Sequence, residues 1–339
     1  MSKKYQVAVL IGRFQPLHNA HVEILNRAAE IAERIIVITG SANQPRTYKN
    51  PFTSAERERM IYLAASRLNV PVAIESNPDT IYNDQAWVVR VQAIINKHAA
   101  ACTRIAVIGH KKDESSFYLD MFPQWALETI EELEHLSAVN IRDLYFKPNA
   151  NMNFIKGVVP DTTFNFLTQF KETSAYDQII REREFVENYK KQFAALPYTP
   201  VFVTVDAVVI QSGHVLMIKR RSEPGKGLWA LPGGFLNGST DKSVQDAMIR
   251  ELREETCIKV PAPVLRGNIV ANKVFDAIDR SARGRTITHA FKIVLPDGEL
   301  PKVKGADDAE KARWVPIAQI QSEDCFEDHY EIVQHFLGA

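Results

Sequence analysis

The sequence predicts two domains of different fold class: a doubly wound parallel α/β sheet, followed by a compact α+β domain. A chain of 339 residues exceeds the usual size of one domain. In the first half, buried-strand patterns alternate with helical patterns, which is typical of a parallel sheet covered by helices. In the second half, a hairpin pattern precedes one long helix and further strands. Residues 196–200 (LPYTP) hold two prolines and predict a linker.

The elements of the first half follow from the spacing of apolar residues. Strands are predicted at residues 6–11, 34–39, 70–75 and 104–109, and helices at 21–33, 52–68 and 87–98. The second of these helices opens with Thr53, and Glu56 follows three residues later, which is the capping-box pattern. A charged helical stretch at 176–195 leads to the linker. We therefore predict domains at 1–190 and 196–339.

The second half reads differently. Residues 201–209 and 214–220 predict a hairpin around Gln211, Ser212 and Gly213. One long helix is expected within 236–258, strands at 268–275 and 286–295, and a helix at the C-terminal end. Strands that flank a helix in this way predict an α+β domain.

Composition excludes several function classes. Lys+Arg and Asp+Glu both number 41, so bulk attraction to nucleic acid or to an anionic membrane is not expected. The three cysteines, Cys102, Cys257 and Cys325, are too far apart for a CxxC metal site or a disulfide framework. This usage fits a reducing cytoplasm. We find no signal-peptide pattern and no apolar run long enough to span a membrane. A homo-oligomer is compatible with the sequence.

The segment from Gly12 to His21 (GRFQPLHNAH) links the first strand to the first helix. In a doubly wound sheet such a turn lies at the carboxyl edge, where ligands bind, and a helix N-terminus there suits phosphate. His18 and His21 share one face of the helix start. Together with Arg13 they could stabilise charge on a transferring phosphoryl group. The alternative is an ordinary turn with two surface histidines, but the coincidence of strand, glycine, Pro-x-His and HxxH favours a phosphate site.

This stretch resembles the HxGH nucleotidyltransferase superfamily, with Ala20 in place of the usual glycine. More specifically, segments 40–42, 49–57, 83–88 and 136–142 resemble archaeal-type nicotinamide mononucleotide (NMN) adenylyltransferases. The last segment is similar to the superfamily's second signature, with Val139 where threonine is common. The resemblance implies a Rossmann-like domain that transfers AMP from ATP to NMN and releases NAD and pyrophosphate. It also implies Mg²⁺ or Mn²⁺ as cofactor at this site.

The same resemblance assigns roles to residues. It implies that the ATP phosphates are held by His18, His21, Arg13, Lys49 and Arg142, with a hydroxyl contact from Ser137. Trp87 would stack on the nicotinamide ring, and Gly12, Phe14, Asp84 and Gly109 are further substrate-binding candidates. Trp87 in the core and a solvated loop after Gly109 are the structural alternatives. The alternative function is transfer to a different phosphate acceptor, such as pantetheine phosphate, FMN or nicotinate mononucleotide.

A second pattern lies in the C-terminal half, where Gly233 and Gly234 precede a helix bearing Glu251, Glu254 and Glu255. On a helical wheel the three carboxylates fall within a narrow arc. Like charges so placed weaken a helix by a few tenths of a kcal/mol, and a divalent cation with hard oxygen ligands would reverse that penalty. The alternative is a solvated charged face. The pattern predicts a metal site.

This pattern resembles the Nudix box, GX5EX7REUXEEXGU, in which U is a bulky aliphatic residue. The resemblance implies hydrolysis of ADP-ribose to AMP and ribose 5-phosphate with Mg²⁺ or Mn²⁺. Glu251, Glu254 and Glu255 would bind the metal, Glu254 would act in catalysis, and Gly233 and Gly234 would contact the substrate. Segments 284–291 and 307–314 are also similar to Nudix proteins that handle ADP-ribose.

The Nudix-like stretch departs from the pattern in three ways. Two extra residues separate Gly234 from Arg250, the first glutamate has no counterpart among residues 240–242, and Cys257 stands where glycine is usual. A glutamate outside the box often serves as the base, and Glu310 is a candidate. These departures leave open an alternative in which the domain senses ADP-ribose or NAD without catalysis.

Overall fold

The computed structural model describes residues 2–99, 101–109, 114–130, 137–147 and 149–338. It divides into two compact units, Met1–Ile180 and Arg181–Ala339. The division falls inside the charged helix α7, Ser174–Lys191. The domain limits drawn from the sequence therefore stay a prediction. Among the described residues, no helix is long and apolar enough to cross a membrane.

The first unit is built on a five-stranded parallel sheet with the order β3-β2-β1-β4-β5. This confirms the doubly wound parallel sheet. The strands are β1 Tyr5–Gly12, β2 Ala32–Thr39, β3 Val72–Ser76, β4 Ile105–Gly109 and β5 Ala126–Thr129. The helices are α1 Asn19–Ile31, α2 Ser54–Ala65, α3 Asp84–Ala99, α4 Ala138–Tyr145, α5 Met152–Val158 and α6 Asp161–Phe170.

The central strand β1 explains why this sheet is covered on both faces. Its run of apolar residues is buried along both faces, and separate clusters pack on each of them. Such continuous apolar strands are typical of buried parallel sheets. The capping box at the start of α2 is present as predicted: Thr53 accepts from the Glu56 N–H, and the Glu56 carboxylate accepts from the Thr53 N–H at 2.8 Å. Because the strands are parallel, their carboxyl ends lie at one edge of the sheet, and the helices that follow them start there.

The second unit contains a mixed sheet with the order β10-β11-β6-β7-β12, in which β8 pairs with β7 and β9 with β6. Its strands are β6 Phe202–Gln211, β7 His214–Arg220, β8 Trp229–Ala230, β9 Gly233–Phe235, β10 Ile269–Phe275, β11 Thr286–Val294 and β12 Ala309–Pro316. Its helices, after α7, are α8 Val244–Thr256, α9 Ala262–Gly267 and α10 His329–Leu337. Helix α8 packs its apolar side on β6.

The predicted hairpin between β6 and β7 closes through Ser212 and Gly213, and Gln211 ends β6 as a register partner of His214. Both turn residues have positive φ, 45° and 73°. This backbone matches the twist of the flanking strands, which is why two-residue hairpin loops favour it.

Candidate active sites

The turn after β1 brings the ends of two strands together. The Gly40 N–H donates to the Gly12 carbonyl at 2.9 Å. Phe14 has a left-handed backbone, with φ 51°, and its side chain is 1% exposed. A Cβ added to Gly12 would lie 3.1 Å from the Phe14 ring. Gly12 thus leaves room for Phe14, whose side chain lies in the core. A role of Phe14 in substrate binding stays a prediction.

The two histidines meet at the first turn of α1, as their spacing predicts. His18 is the N-cap, and its backbone N–H donates to His21 Nδ1 at 3.3 Å. Their rings stack with centroids 3.7 Å apart and an interplanar angle of 26°. The centroid of the Phe14 ring lies 4.7 Å from that of the His21 ring, with an interplanar angle of 58°. Phe14 therefore supports the pair, because it limits where the His21 imidazole can move.

Two buried arginines fix this turn. Arg57 on α2 donates to the carbonyls of Arg13 at 2.8 Å, Gly40 at 2.6 Å and Ser41 at 3.1 Å. Burial lowers its pKa to about 10, and the neighbouring charge of Arg13 acts in the same direction. Sequence reasoning missed Arg57 as a site residue. The available signal was its helical spacing with buried Met60 and Ile61, which places an arginine on a buried face.

Arg142 on α4 is the second of these arginines. Its Nη1 donates to the Gln15 carbonyl at 2.7 Å. Burial, followed by the positive charge of Arg13, lowers its pKa to about 10. Arg13 itself is exposed. The structure therefore brings Arg13, Arg57 and Arg142 together at the carboxyl end of β1, where a group of cations suits a polyphosphate.

Lys49 and Ser137 lie on segments that frame the same turn. The Gln15 side chain exchanges two hydrogen bonds with the backbone of Phe52, both of 2.9 Å, and so ties the loop after Lys49 to the turn. Lys49 is exposed. The Ser137 hydroxyl accepts from the Asn140 N–H at 3.2 Å as the N-cap of α4. Its capping role is what the structure assigns, and a phosphate contact stays a prediction.

Trp87 and its neighbours lie beyond the ends of β3 and β4. Asp84 is the first residue of α3 and is exposed. Trp87 is half-buried, with its ring edge-on to Tyr118 at 6.3 Å. Gly109 ends β4, and a Cβ there would lie 3.3 Å from Leu119. Trp87 is thus partly a core residue, and the stacking role stays a prediction. Residues 110–113, which follow Gly109 in the predicted loop, lie outside the described residues.

In the second unit, Gly233 lets β9 approach β6, and Gly234 lets α8 approach β9. A Cβ on Gly233 would lie 2.1 Å from the Val205 carbonyl oxygen, and one on Gly234 would lie 2.6 Å from Glu251 Oε1. The Gly233 N–H donates to Glu255 Oε2 at 2.9 Å. Because Gly233 and Gly234 lack side chains, the carboxylates of Glu251 and Glu255 can pack against β9. Substrate contact at the glycines stays a prediction.

The three carboxylates differ in environment. Glu255 is buried, and burial, with repulsion from Glu251, raises its pKa to about 8. Burial also raises the pKa of Glu251, whereas the Glu254 side chain is 47% exposed. Carboxylate oxygens are the donors that Mg²⁺ and Mn²⁺ prefer, so the donor chemistry fits a divalent cation. Nevertheless, no three His, Cys, Asp or Glu side chains in the described parts of the chain converge tightly enough to hold one.

Arg250 occupies two of these carboxylates. Its Nη1 donates to Glu251 Oε1 at 2.8 Å and to Glu254 Oε2 at 2.9 Å. Its Nε and Nη2 form a bidentate pair with Asp241 at 2.9 and 2.8 Å. Bidentate arginine–carboxylate pairs fix orientation as well as charge. Asp241 therefore fixes the orientation of the Arg250 guanidinium beside the carboxylates of its own helix, α8.

A buried set of hydrogen bonds lies next to the segment that contains Gly233 and Gly234. His329 Nδ1 accepts from the Leu231 N–H at 2.8 Å, and the Thr288 hydroxyl donates to Asp206 Oδ2 at 2.5 Å. Burial lowers the pKa of His329 to about 3, so its imidazole is neutral and can accept this bond. Sequence reasoning missed His329 because it lies 98 positions from Leu231 in the chain.

Comparisons with known proteins agree with this architecture. Residues 9–158 match the Cytidylyltransferase-like family, and residues 200–336 match the NUDIX domain. The chain is 36% identical over 177 residues to a nicotinamide/nicotinic acid mononucleotide adenylyltransferase of Acinetobacter baylyi, which covers 52% of this chain and 92% of that protein. It is 32% identical over 135 residues to an ADP-ribose pyrophosphatase of Methanocaldococcus jannaschii, which covers 40% and 72%.

One solved structure matches both halves at once. The crystal structure of a bifunctional NMN adenylyltransferase/ADP ribose pyrophosphatase from Francisella tularensis has a TM-score of 0.89 and 35% identity, and the match covers 98% of this chain and 99% of that one. This chain belongs to the bifunctional NMN adenylyltransferase/Nudix family. A structure of the Francisella protein with AMP and a manganese ion matches with a TM-score of 0.89 and 34% identity.

Three departures of this bifunctional family member from the motif patterns can be described structurally. Asp241, near the position of the missing first glutamate of the box, provides a carboxylate for Arg250. Cys257, in the glycine position, caps α8 with a left-handed φ of 49°, a conformation that glycine adopts without strain. Ala20 is buried within α1. Its methyl group is therefore accommodated.

The candidate base Glu310 lies on β12. It lines a cavity of about 400 Å³ together with Trp229 and four cationic side chains, Lys219, Lys304, Lys311 and Arg313. The acidic residues whose charge acts on the α8 carboxylates are instead Asp307, on Glu251, and Asp308, on Glu255. Glu310 as the base stays a prediction.

Proposed function

We propose that this chain is a bifunctional enzyme. Its first unit transfers AMP from ATP to NMN, forming NAD and pyrophosphate, and its second unit hydrolyses ADP-ribose to AMP and ribose 5-phosphate. The observation that carries the proposal is the pairing, on one chain, of a cationic turn at the edge of a parallel sheet with a carboxylate-bearing Nudix helix. The end-to-end likeness to the Francisella protein supports both activities.

In the transfer reaction, the NMN phosphate attacks the α-phosphorus of ATP in line with the departing pyrophosphate. Both reactants are anionic, so the chain must bring them together against their repulsion. Arg13 supplies charge at the turn, and His18 and His21 hydrogen-bond phosphate oxygens from the first turn of α1. Arg142 and Lys49 add charge from flanking segments. Bound Mg²⁺ would neutralise part of the developing pyrophosphate charge.

In the hydrolysis, Glu251, Glu254 and Glu255 would hold divalent cations, with Mg²⁺ or Mn²⁺ as the candidates. The cation would polarise the diphosphate and acidify a water molecule. Glu251 and Glu254 would hold the ion only when released from Arg250. The bidentate bond to Asp241 would then keep the Arg250 guanidinium in place. Glu254, whose side chain is 47% exposed, would accept the proton from water.

The second unit has one rival function, a sensor that binds ADP-ribose or NAD without cleaving it. The observation that favours this rival is that Arg250 donates to both Glu251 and Glu254 and so occupies two of the three carboxylates. ADP-ribose binding with no AMP release in Mg²⁺ or Mn²⁺ would establish the sensor and refute the hydrolase.

A paired assay on the full chain tests the proposal. One reaction receives NMN and ATP, the other ADP-ribose, both with Mg²⁺, and products are separated by chromatography. His21→Ala is expected to lower NAD formation by about 10²-fold or more and to leave AMP release unchanged. Glu254→Gln is expected to lower AMP release and to leave NAD formation unchanged. Glu23→Gln on α1 and Arg253→Gln on α8, both exposed, are matched controls with no expected effect.

The cellular setting is the remaining part of the proposal. We place the enzyme in the cytoplasm, with small-molecule substrates and no nucleic-acid or membrane partner. The balanced charge and the three free cysteines support this placement.

A further inference from the structure

A row of side chains crosses three strands of the second unit on the sheet face that α8 does not cover. Lys219 on β7 lies directly opposite Lys311 on β12 and, on its other side, directly opposite Trp229 on β8. Residues paired in this way on antiparallel strands point to the same face. Leu216 of β7 belongs to the core beneath α8. Lys219 lies three positions further along the strand, so its side chain points to the opposite face from Leu216.

The cations near this row line one cavity of about 400 Å³. Arg313 lies two positions from Lys311 on β12 and therefore shares its face, and its guanidinium lies 5.0 Å from the centroid of the Trp229 ring. Lys304 lines the same cavity from the segment before β12, and Glu310 is the acidic residue in the lining. Four positive side chains and one negative one give the cavity wall an excess of three positive charges, in a chain whose formal net charge is zero.

This arrangement of charges disfavours the fold unless an anion is present. Like charges directly opposite each other on paired strands are destabilising, and Lys219 and Lys311 are such a pair. In the described ranges, none of the four cations of the cavity forms an ion pair, even with Glu310 of the same lining. Arg280 of the same unit, by contrast, pairs with Asp328 at 2.8 Å. An anion bound between the cavity cations would replace their repulsion by attraction.

The backbone fixes the place of Lys304 in this lining. A Cβ on Gly305 would lie 2.6 Å from the Lys311 Cα, so the glycine lets the segment lie directly against β12. The Lys304 N–H donates to the Thr256 carbonyl at 2.9 Å, which ties the segment to the last turn of α8. The cation at the edge of the cavity is therefore positioned by close packing and by a backbone hydrogen bond.

We propose that this cavity is a further ligand site, separate from both catalytic sites, for a small phosphate-bearing polyanion: inorganic pyrophosphate or the phosphates of a nucleotide. Phosphate oxygens accept hydrogen bonds from ammonium groups, and the planar fork of Arg313 can donate to two of them at once. The cavity volume lies in the range of small-molecule pockets, about 300–1,000 Å³. Pyrophosphate is also what the first unit would release in the proposed transfer. The site itself depends on neither catalytic activity.

The test is site-resolved lysine labelling of the full-length protein. The protein is acetylated briefly with acetic anhydride, with and without sodium pyrophosphate and in the absence of divalent metal, and each modified lysine is quantified by mass spectrometry. Pyrophosphate at about ten times its Kd leaves about a tenth of the sites free, so labelling of Lys219 and Lys311 should slow about tenfold. Lys226 and Lys302 are exposed and do not line the cavity, so their labelling should be unchanged.

Sodium sulfate at equal ionic strength, AMP and ATP are the other arms of the experiment. Stronger protection by pyrophosphate assigns the site to the free anion, and stronger protection by AMP or ATP assigns it to a nucleotide. Equal protection by sulfate would overturn the inference, because the cavity would then attract anions through charge alone. Unprotected Lys219 and Lys311, or equal protection of Lys226 and Lys302, would overturn it as well.

The variant Arg313→Gln provides an independent check by the same labelling method. It should raise the pyrophosphate concentration that gives half-maximal protection of Lys219 and Lys311 by about fivefold or more, because the paired donor is lost. Arg253→Gln removes an equal charge from an exposed position of α8 and should leave that concentration unchanged. Equal shifts in the two variants would overturn the inference, since the effect would then come from net charge and not from the cavity.

Discussion

Replacing Glu182 by glutamine should stabilise the second unit in a pH-dependent way. Glu182 on α7 is 7% exposed and accepts from the Gly225 N–H at 3.0 Å. Burial raises its pKa from 4.5 to about 7, and repulsion from Glu223 and Glu327 acts in the same direction. The folded state therefore prefers the protonated carboxyl. Its contribution to stability is fully present below pH 4.5 and is lost as pH rises to about 7.

The size of the effect follows from the pKa difference. A shift of about two and a half units amounts to roughly 3 kcal/mol at 1.36 kcal/mol per unit. Glutamine keeps an acceptor for Gly225 but cannot ionise, so Glu182→Gln should gain up to about 3 kcal/mol above pH 7.5 and almost nothing near pH 4.5.

Urea denaturation at about pH 5 and about pH 8, followed by tryptophan fluorescence, measures this difference. The exposed Glu184→Gln on the same helix is the matched control and should show no gain at either pH. Equal effects of Glu182→Gln at the two pH values would refute the reasoning, because the gain must come from the avoided charge.

Three further substitutions test the sites. Asp241→Asn should lower ADP-ribose hydrolysis about tenfold with unchanged NAD formation, because Arg250 loses its bidentate partner; equal activity in product assays would contradict this. Arg57→Met should lower the free energy of unfolding by about 2–4 kcal/mol, because three backbone carbonyls lose their donor. It should also abolish NAD formation and leave ADP-ribose hydrolysis intact; denaturation measures the first effect and the paired assay the second. Cys257→Gly should stabilise the second unit by about 0.5–1 kcal/mol, because it relieves a left-handed cysteine; a lower unfolding temperature would contradict this.

Much of the fold was accessible from the sequence because its strongest signals are local. The apolar run of β1, the capping box of α2 and the turn between β6 and β7 are each written in consecutive residues, and the structure confirms all three. The strands β5, β8, β9 and β12 escaped prediction. β5 has four residues, three of them exposed, and β8 has only two, so neither carries a period that apolar spacing could reveal.

The site residues also divide into those set by local sequence and those set by tertiary packing. His18 and His21 could be paired from the sequence because three positions of helix bring two side chains to one face. Arg57 and His329 could not. Arg57 reaches the turn across 44 positions of sequence, and His329 meets Leu231 across 98 positions. Contacts of this kind depend on tertiary packing, which no single-sequence pattern encodes.

The motif glycines acquire a different meaning from the structure. In a phosphate-binding motif, a glycine is usually explained by the close approach of a ligand. Here the space beside Gly12 is filled by the Phe14 ring and the space beside Gly233 by the Val205 carbonyl, both parts of the chain itself. Each glycine thereby sets a chemical group: Gly12, through Phe14, sets the position of His21, and Gly233 presents its N–H to Glu255. The glycines therefore contribute indirectly. They let protein atoms pack closely enough to hold the side chains that would contact phosphate or metal.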